Sequence, residues 1–281
     1  MQAPGPAIGG TGLGHSRLAC YVVGIAAALL LAGHALACDG LAEGPSGTVK
    51  AVYDGNTLLL DSGIVVRLNG IRAPLPAGKR AGSVAEPLAD KAREALAALV
   101  LSQPVRLGLD EEETDRYGHM EAQVFLDRPG GDWINQQMAM RGYARALPLP
   151  KTLRCFNELI AAEATARANR LGIWADPYYS VRDAADPAAL AGRVGHYEVI
   201  EGEIVGTGES HGRVYLDFGR VWKDDVTAII DQKARSLFAG AGLDPLSFKG
   251  RRVRIRGWVE NRDGPLIELS LPEQVEVLGA K

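Results

Sequence analysis

The sequence predicts a mainly β protein with interspersed helices, an α+β class in which two five-stranded β-barrels follow one another. Short runs of alternating apolar and polar residues, bounded by Gly, Asp and Asn, indicate strands and tight turns. Apolar residues recur at helical spacing in only a few segments. The order of three strands, one helix and two strands occurs twice along the chain, which favours two modules.

The first module begins with strands that are joined by hairpin turns. Asp54-Gly55 and Asp61-Ser62-Gly63 have the residue types that such turns require. Three strands are therefore predicted at residues 46–54, 56–61 and 64–71.

The rest of the first module alternates helices and strands. A helix is predicted from about Val84 to Leu101, because apolar residues recur there every three or four positions. Two strands and two further helices follow, at residues 104–110, 119–127, 133–141 and 153–170. The second of these helices ends at Leu171-Gly172, a typical stop signal.

A second module follows a segment with two Asp-Pro pairs and little periodicity, which we interpret as a linker. Three strands, one helix and two strands are predicted after it, at residues 197–206, 212–219, 226–231, 232–240, 252–260 and 265–270. This order is that of the five-stranded OB barrel, and the first module has it too, with two helices appended. The predicted boundaries are 44–177 for the first barrel domain, 178–195 for the linker and 196–281 for the OB-like domain.

The N-terminus has the three parts of an export signal. Arg17 precedes an apolar run at residues 18–31, and Ala35-Leu36-Ala37 provides small residues for cleavage. The alternative is a permanent membrane anchor, since residues 18–37 approach the length of a spanning helix. We predict a signal peptide at 1–37, no stable membrane span after cleavage, and a periplasmic or secreted protein.

Two cysteines remain once Cys20 leaves with the signal. Cys38 and Cys155 form an even pair, which in an oxidising compartment predicts a disulfide. Two unpaired thiols are one alternative. Lipid attachment to Cys38 is another, although the position three residues before it holds Ala35 rather than the Leu usual in lipoproteins.

Composition excludes a generally basic nucleic-acid-binding surface. The whole chain has a formal net charge of −3, from 31 basic and 34 acidic residues, and loss of the signal removes one Arg. Any phosphate binding must therefore be local. The sequence gives no prediction of oligomeric state.

Five local motifs occur in order across about residues 46–175. Their residues are Asp54-Gly55-Asn56-Thr57, Arg67-Leu68-Asn69-Gly70-Ile71-Arg72-Ala73-Pro74, Asp115-Arg116-Tyr117-Gly118-His119, Glu163-Ala164-x-Ala166-Arg167 and Leu171-Gly172-Ile173-Trp174. Together they resemble the staphylococcal nuclease (thermonuclease) family. The second module is similar to the OB-like tail of some bacterial members.

The resemblance implies an active site that has lost its metal ligands. Active members bind Ca²⁺ through carboxylates where this chain has Asn56 and Arg72, and they carry a catalytic Glu where it has Leu75. One catalytic arginine is kept as Arg67, whereas the second is replaced by His119. Ca²⁺ prefers six to eight oxygen ligands, several of them anionic, so no metal or other cofactor is expected here.

A rebuilt catalytic site is the alternative. His119 could act as a base near neutral pH, and Arg67 with Arg72 could clamp a phosphate. Tyr117 is a further binding candidate beside them. The structural alternatives are that His119 is an exposed residue at a strand start, that Arg72 is a solvated loop charge, and that Arg67 pairs with Asp54 or another acid.

The second module offers another candidate surface. Alternation along its fourth strand places Arg252, Arg254, Arg256 and Trp258 on one face. Cationic groups beside an aromatic ring are typical of single-strand binders. The alternative is a solvated face whose arginines pair with acids near the C-terminus, namely Glu268, Glu273 or Glu276.

These observations favour an exported protein that binds rather than cleaves. The candidate partners are single-stranded nucleic acid, another anion, or a protein of the cell envelope. The rival hypothesis is an extracytoplasmic nuclease or phosphodiesterase with a rebuilt site.

Overall fold

In a computed structural model of the protein, five strands of the N-terminal half close into a barrel. The structure describes residues 1–2, 5, 38, 40–78, 83–110, 114–115, 117–150, 153–221 and 224–279. The barrel strands are β1 (Ala42–Asp54), β2 (Thr57–Leu60), β3 (Val65–Leu68), β5 (Pro104–Leu109) and β6 (Met120–Leu126). β3 and β6 are parallel, whereas the other neighbours are antiparallel.

Along the barrel strands β2 and β3, every second residue is buried and its neighbours are partly exposed. Leu58 and Leu60 of β2 and Val66 and Leu68 of β3 point into the core, where each is almost completely buried. Fully burying one such side chain contributes about 1.5–3 kcal/mol. Strands are found at each predicted place of the first module, but residues 64–71 contain two strands instead of one, because a turn at Asn69-Gly70 interrupts them and Ile71–Arg72 leave the barrel.

Three helices and a two-stranded ribbon cover the barrel. The helices are α1 (Ala89–Val100), α2 (Ile134–Met140) and α3 (Phe156–Ala168), and the ribbon pairs β4 (Ile71–Arg72) with β7 (Arg145–Ala146). α1 buries Ala92, Leu96 and Val100, which are spaced four residues apart. α1 begins five residues later than predicted. Pro87 disfavours helical backbone at Glu86, and Leu88, the residue before the helix, has a left-handed backbone conformation with φ of 63°.

A second sheet repeats the topology of the first. Its strands are β9 (Tyr197–Glu203), β10 (Gly206–Ser210), β11 (Arg213–Asp217), β12 (Thr227–Ile230), β13 (Arg252–Asn261) and β14 (Pro265–Glu268), with helix α5 (Gln232–Gly240) after β12. β9 and β10 follow one another with two residues between them and act as the first OB strand, since β9 pairs with β13 and β10 with β11. β12 and β14 are parallel, as β3 and β6 are in the first barrel. A short β15 (Val275–Val277) adds to β13. These strands form an eight-stranded sheet whose order of neighbours is the one expected for an OB-like module, and we refer to it as the second barrel.

The segment interpreted as a linker is folded against the second barrel. It contains β8 (Arg182–Asp183), which pairs with β9, and α4 (Pro187–Ala191), whose Leu190 is fully buried. Its start joins a small apolar cluster that includes Trp174, Tyr179 and Val199. Leu36–Lys281 form one compact unit, so the two barrels are packed together instead of being tethered.

Cys38 and Cys155 are joined by the predicted disulfide, with their Cα atoms 4.9 Å apart. Nearly all of the predicted signal peptide, residues 1–37, lies outside the described residues. Among the residues that are described, no helix is both long and apolar enough to cross a membrane.

Candidate functional site

The turn between β1 and β2 holds the first motif in a tightly packed place. Gly55 approaches Ala73 and Ala92 so closely that a Cβ atom on it would lie 2.5 and 2.8 Å from their Cβ atoms, so any side chain here would clash. Asp54 accepts a hydrogen bond from the backbone N–H of Asn56 at 2.8 Å, which fixes the turn. Asn56 itself is only 2 % exposed and carries no charge.

Arg72, at the end of β4, is engaged in a partly buried ion pair. Its two terminal nitrogens donate to the two carboxylate oxygens of Glu86 at 3.0 and 2.6 Å. Glu86 also accepts the backbone N–H of Leu75 at 3.0 Å. Burial raises the pKa of Glu86, but the hydrogen bonds and charge of Arg72 outweigh burial and hold the pKa below its ordinary value. The expectation that Arg72 could be a solvated loop charge is therefore wrong, because the side chain is 10 % exposed and paired.

This arrangement does not fit a calcium ion. A hard divalent cation needs several anionic oxygens, whereas Asn56 offers an amide and Arg72 a positive charge. Glu86, the carboxylate in contact with Arg72, already directs both of its oxygens at that guanidinium. Within the described part of the chain, no group of three or more His, Cys, Asp or Glu side chains could hold a metal ion.

A second cluster combines the retained arginine with a histidine. Asp115 accepts the backbone N–H groups of Tyr117 and His119 at 2.8 and 3.0 Å, and its other oxygen lies 3.0 Å from Nδ1 of His119. Nη1 of Arg67 lies 3.8 Å from the same oxygen, so Asp115 is an acid that Arg67 approaches. Burial raises the pKa of Asp115, but the hydrogen bonds from the backbone of His119 and Tyr117 outweigh it and lower the pKa.

The Asp115–His119 pair positions the imidazole ring. With Nδ1 facing a carboxylate, Nε2 is turned away from it and remains the ring atom that could take a proton. The His119 side chain is 33 % exposed, and the ring of Tyr117 lies 6.0 Å from its ring. These contacts bring Arg67 and His119 to the same carboxylate, with Tyr117 beside the imidazole ring.

A cavity of about 220 Å³ lies where Arg67 meets the second barrel. Arg67, Asn69 and Glu121 supply its polar wall, and Trp258 of β13 supplies an aromatic wall from the other barrel. Trp258 is 48 % exposed, and the Arg72 guanidinium lies 5.3 Å from its ring centroid. The cavity therefore combines a cation, an aromatic face and a carboxylate.

Asn69 is the most unusual residue of this cavity. Its side chain is nearly buried, yet neither its amide nitrogen nor its amide oxygen has a hydrogen-bond partner. An unsatisfied buried amide costs about 1–3 kcal/mol. Both atoms are enclosed by protein, so a ligand could bond to them only after this side chain turned toward the cavity. The backbone carbonyl of Asn69 accepts from Asn135, which fixes the residue in place.

The arginines of β13 form ion pairs with acidic residues of the same chain. Arg252 lies 2.8 Å from Glu201, and Arg254 pairs with both Glu201 and Glu276. Arg256 is fully buried. Glu276, one of the three acids that the sequence suggested as partners of these arginines, pairs with Arg254.

Arg256 has no surface to offer a ligand. It donates to both carboxylate oxygens of Glu163 on α3, at 3.0 and 3.2 Å, and so lies at the contact between the two barrels. Of the four residues predicted on this face, Trp258 is the one that lines the cavity beside Arg67.

Several residues of the site carried no functional signal in the sequence. Glu86 falls within the helix predicted from about Val84, but it lies in a Pro-containing loop before α1, and no motif marks it. Asn69 and Asp115 lie inside the motifs, but spacing alone cannot tell that one amide stays unbonded or that one carboxylate orients His119. The sequence pattern gives the positions of Asn69 and Asp115 but does not predict which groups they contact.

Comparison with known proteins gives consistent matches over the first barrel. Residues 65–176 match the family model described as staphylococcal nuclease homologue. The chain is 30 % identical over 133 residues to a thermonuclease of Staphylococcus intermedius, a match that covers 47 % of this chain and 77 % of that protein. It is 35 % identical over 143 residues to a micrococcal nuclease of Shigella flexneri, covering 47 % and 74 %. It is also 33 % identical over 141 residues to protein ParB of Escherichia coli, covering 47 % and 73 %.

Proposed function

Because this chain belongs to the staphylococcal nuclease family, we propose that it is an exported member that binds nucleic acid without calcium-dependent cleavage. The proposal keeps the ligand class suggested by its relatives, a thermonuclease and a micrococcal nuclease, and departs from them in chemistry. Binding uses the first barrel and the wall contributed by Trp258.

The Arg72–Glu86 ion pair carries this proposal. Arg72 stands at the position where, by the family resemblance, active members have a calcium-binding carboxylate, and here it is paired with Glu86. A guanidinium about 4 Å from a unit positive charge costs on the order of 4 kcal/mol at an effective dielectric near 20, and a divalent ion roughly doubles that cost. Glu86 offsets part of this cost only while it stays bound to Arg72.

The 220 Å³ cavity supports a binding role for single-stranded nucleic acid. Arg67 provides a cation for a phosphate, and the exposed ring of Trp258 provides a face on which a base can stack. Asn69 adds a polar side chain to the wall of the cavity next to Arg67.

A digestion and binding experiment tests the proposal. The purified protein is incubated with plasmid DNA and RNA in Ca²⁺ and in chelator, beside a calcium-dependent nuclease, and fluorescence anisotropy measures binding of a labelled oligonucleotide. We expect salt-dependent binding and no chelator-sensitive cleavage. Robust cleavage that the chelator abolishes would contradict the loss of calcium chemistry, and absence of any binding would contradict the ligand class.

The Asp115–His119 pair favours a second candidate function, metal-independent phosphodiester cleavage. Nε2 of His119 would accept a proton from an attacking water molecule as the water oxygen bonds to phosphorus, while Arg67 holds the phosphate. The P–O bond to the sugar oxygen breaks in the same displacement, and that oxygen leaves with a proton from solvent. Chelator-resistant cleavage that disappears in His119→Ala would support this candidate and replace the binding-only proposal. Equal residual activity in wild type and His119→Ala would exclude it.

The disulfide supports a location outside the cytoplasm, in the periplasm or the medium. It also bears on lipid attachment, because the Cys38 sulfur that a lipid would need is joined to Cys155. Expression of the full-length chain, followed by fractionation and N-terminal sequencing, tests both cleavage near Ala37 and location. An intact N-terminus in the membrane fraction would overturn the export proposal.

A further inference from the structure

The outer face of the second barrel carries a cavity of about 580 Å³ that is separate from the cavity beside Arg67. It is formed by β10, β11, β12 and β14. Alternate residues of these strands, such as Val214 and Leu216, point into the barrel core, so their neighbours Tyr215 and Asp217 point outward. The volume falls in the range of small-molecule and oligomer sites.

Tyr215 forms an open aromatic platform in this cavity. On one side its register partner is Gly208, where an added Cβ would meet no atom within 4 Å. On the other side its partner is Ile229, which is 8 % exposed and forms part of the floor. Because no side chain projects from Gly208, the tyrosine ring is left accessible from that side.

Polar groups of both signs surround the platform. Asp217 lies two residues after Tyr215 on β11, on the same face of the sheet. One of its carboxylate oxygens accepts a hydrogen bond from the Thr227 hydroxyl at 3.3 Å. Burial raises the pKa of Asp217, which marks a carboxylate that is poorly hydrated. Arg213 lines the same cavity as an exposed cation.

The charge balance of the lining is not that of a nucleic-acid site. Three carboxylates and two guanidinium groups line the cavity. The guanidinium group of Arg262 is already paired with Glu260 at 2.8 Å and Glu268 at 3.7 Å, and the carboxylate of Glu209 is paired with Arg235 at 2.6 Å. Two carboxylates, Asp217 and Asp263, and one guanidinium group, that of Arg213, remain in the lining. A polyanion would therefore meet net repulsion here, whereas a neutral ligand rich in hydroxyl groups would not.

We propose that this cavity binds a neutral oligosaccharide, with one sugar ring stacked on Tyr215 and its hydroxyl groups bonded to Asp217 and Arg213. The C–H face of a sugar ring packs on an aromatic face, and the Tyr hydroxyl adds a polar contact at the rim. A hydroxyl group both donates and accepts, so it can donate to the carboxylate of Asp217 and accept from the guanidinium of Arg213. The site goes beyond the proposed nucleic-acid role and does not depend on it.

Isothermal titration calorimetry of the purified protein tests this site. The probes are a hexamer of N-acetylglucosamine, cellohexaose, and an oligothymidylate as the anionic comparison. We expect at least one of the two saccharides to bind, with a loss of roughly tenfold or more in Tyr215→Ala and retention in Tyr215→Trp. Trp258→Ala, which alters the other cavity, should leave saccharide binding unchanged.

Three outcomes would overturn the proposal. They are no heat with either saccharide at millimolar concentration, equal affinity in wild type and Tyr215→Ala, and oligothymidylate binding that depends on Tyr215. If Tyr215→Ala does not fold, Asp217→Asn provides the test, because it keeps the shape of the side chain and removes its charge. Undiminished saccharide binding in that variant would count against the site.

Discussion

Glu163 and Arg256, 93 residues apart in sequence, form a fully buried bidentate ion pair that joins α3 of the first barrel to β13 of the second. Glu163 also accepts the backbone N–H of Ala146 at 2.7 Å and a hydrogen bond from Arg167 at 2.6 Å. Arg256 reaches Glu276 as well. The charged groups of Glu163 and Arg256 at this contact between the barrels are therefore both paired.

We expect Glu163→Gln to destabilise the protein by about 3–5 kcal/mol, because removing one partner of a buried pair leaves the other charge uncompensated. Urea unfolding of both barrels, followed by circular dichroism, measures the change. The matched control is Glu158→Gln, a substitution at an exposed position on the same helix, for which a change within about 0.5 kcal/mol is expected. A loss below 1 kcal/mol in Glu163→Gln would mean that the pair contributes little to joining the barrels.

The same pair predicts an acid-sensitive interface. Burial raises the pKa of Glu163, but the charges and hydrogen bonds of Arg256 and Arg167 outweigh burial and lower the pKa below its ordinary value. A carboxylate with a lowered folded pKa contributes stability that is complete above its unfolded pKa, about 4.3. That contribution is lost as the pH falls through the folded pKa. Unfolding free energies at pH 7, 5 and 4 should fall more steeply below pH 5 for wild type than for Glu163→Gln, and parallel profiles would contradict this assignment.

Much of the fold was predictable because the strands bury every second residue. The alternation of Val253 and Ile255 with Arg252 and Arg254 correctly separates the core face of β13 from its other face. The same pattern cannot say what covers the second face. Arg256 has the same periodicity as Arg254, yet it is fully buried, because the first barrel packs over that end of the strand.

The sequence predicts which residues belong to the candidate site better than it predicts which groups those residues contact. The motifs located Arg67, Arg72 and His119, since each occupies a fixed place within a run of matching residues. The partner of Arg72 was not predictable, because Glu86 is brought to it by the path of a loop and not by strand or helix spacing. Long-range pairing of charges is a property of tertiary packing, which local periodicity does not encode.

Trp258→Ala is expected to weaken oligonucleotide binding by about 1–3 kcal/mol, the energy typical of one base stacked on an aromatic side chain. Fluorescence anisotropy with a labelled oligonucleotide at fixed salt measures the loss. Tyr53→Ala is the matched control, since Tyr53 is 50 % exposed, close to the 48 % of Trp258, and does not line the cavity. Equal losses in both variants, or none in Trp258→Ala, would rule out a stacking role for Trp258.

Removal of the disulfide should lower stability substantially. The bond closes a loop with a sequence separation of 117, for which loop-closure entropy gives about 4–5 kcal/mol. Cys155→Ser, or wild type in reductant, should therefore unfold at lower urea concentration, and the intact mass of wild type should rise by about 2 Da on reduction. A lipid-sized mass on Cys38 in the purified protein would contradict the bridge.

Restoring carboxylates gives the sharpest test of lost calcium binding. The variant Asn56→Asp/Arg72→Asp/Leu75→Glu supplies the acids that the family resemblance implies, and removal of Arg72 leaves Glu86 without its partner. If Ca²⁺ then binds with a dissociation constant near 1 mM, 10 mM Ca²⁺ should stabilise the variant by about 1.4 kcal/mol, or roughly 3–6 °C in Tm. Wild type and the matched variant Asn56→Ala/Arg72→Ala/Leu75→Ala should show no such shift, because neither has the anionic oxygens that a hard cation requires. A Ca²⁺-dependent rise in the Tm of wild type would show that the Arg72–Glu86 pair does not exclude the ion, and the proposal of calcium-independent binding would then fail.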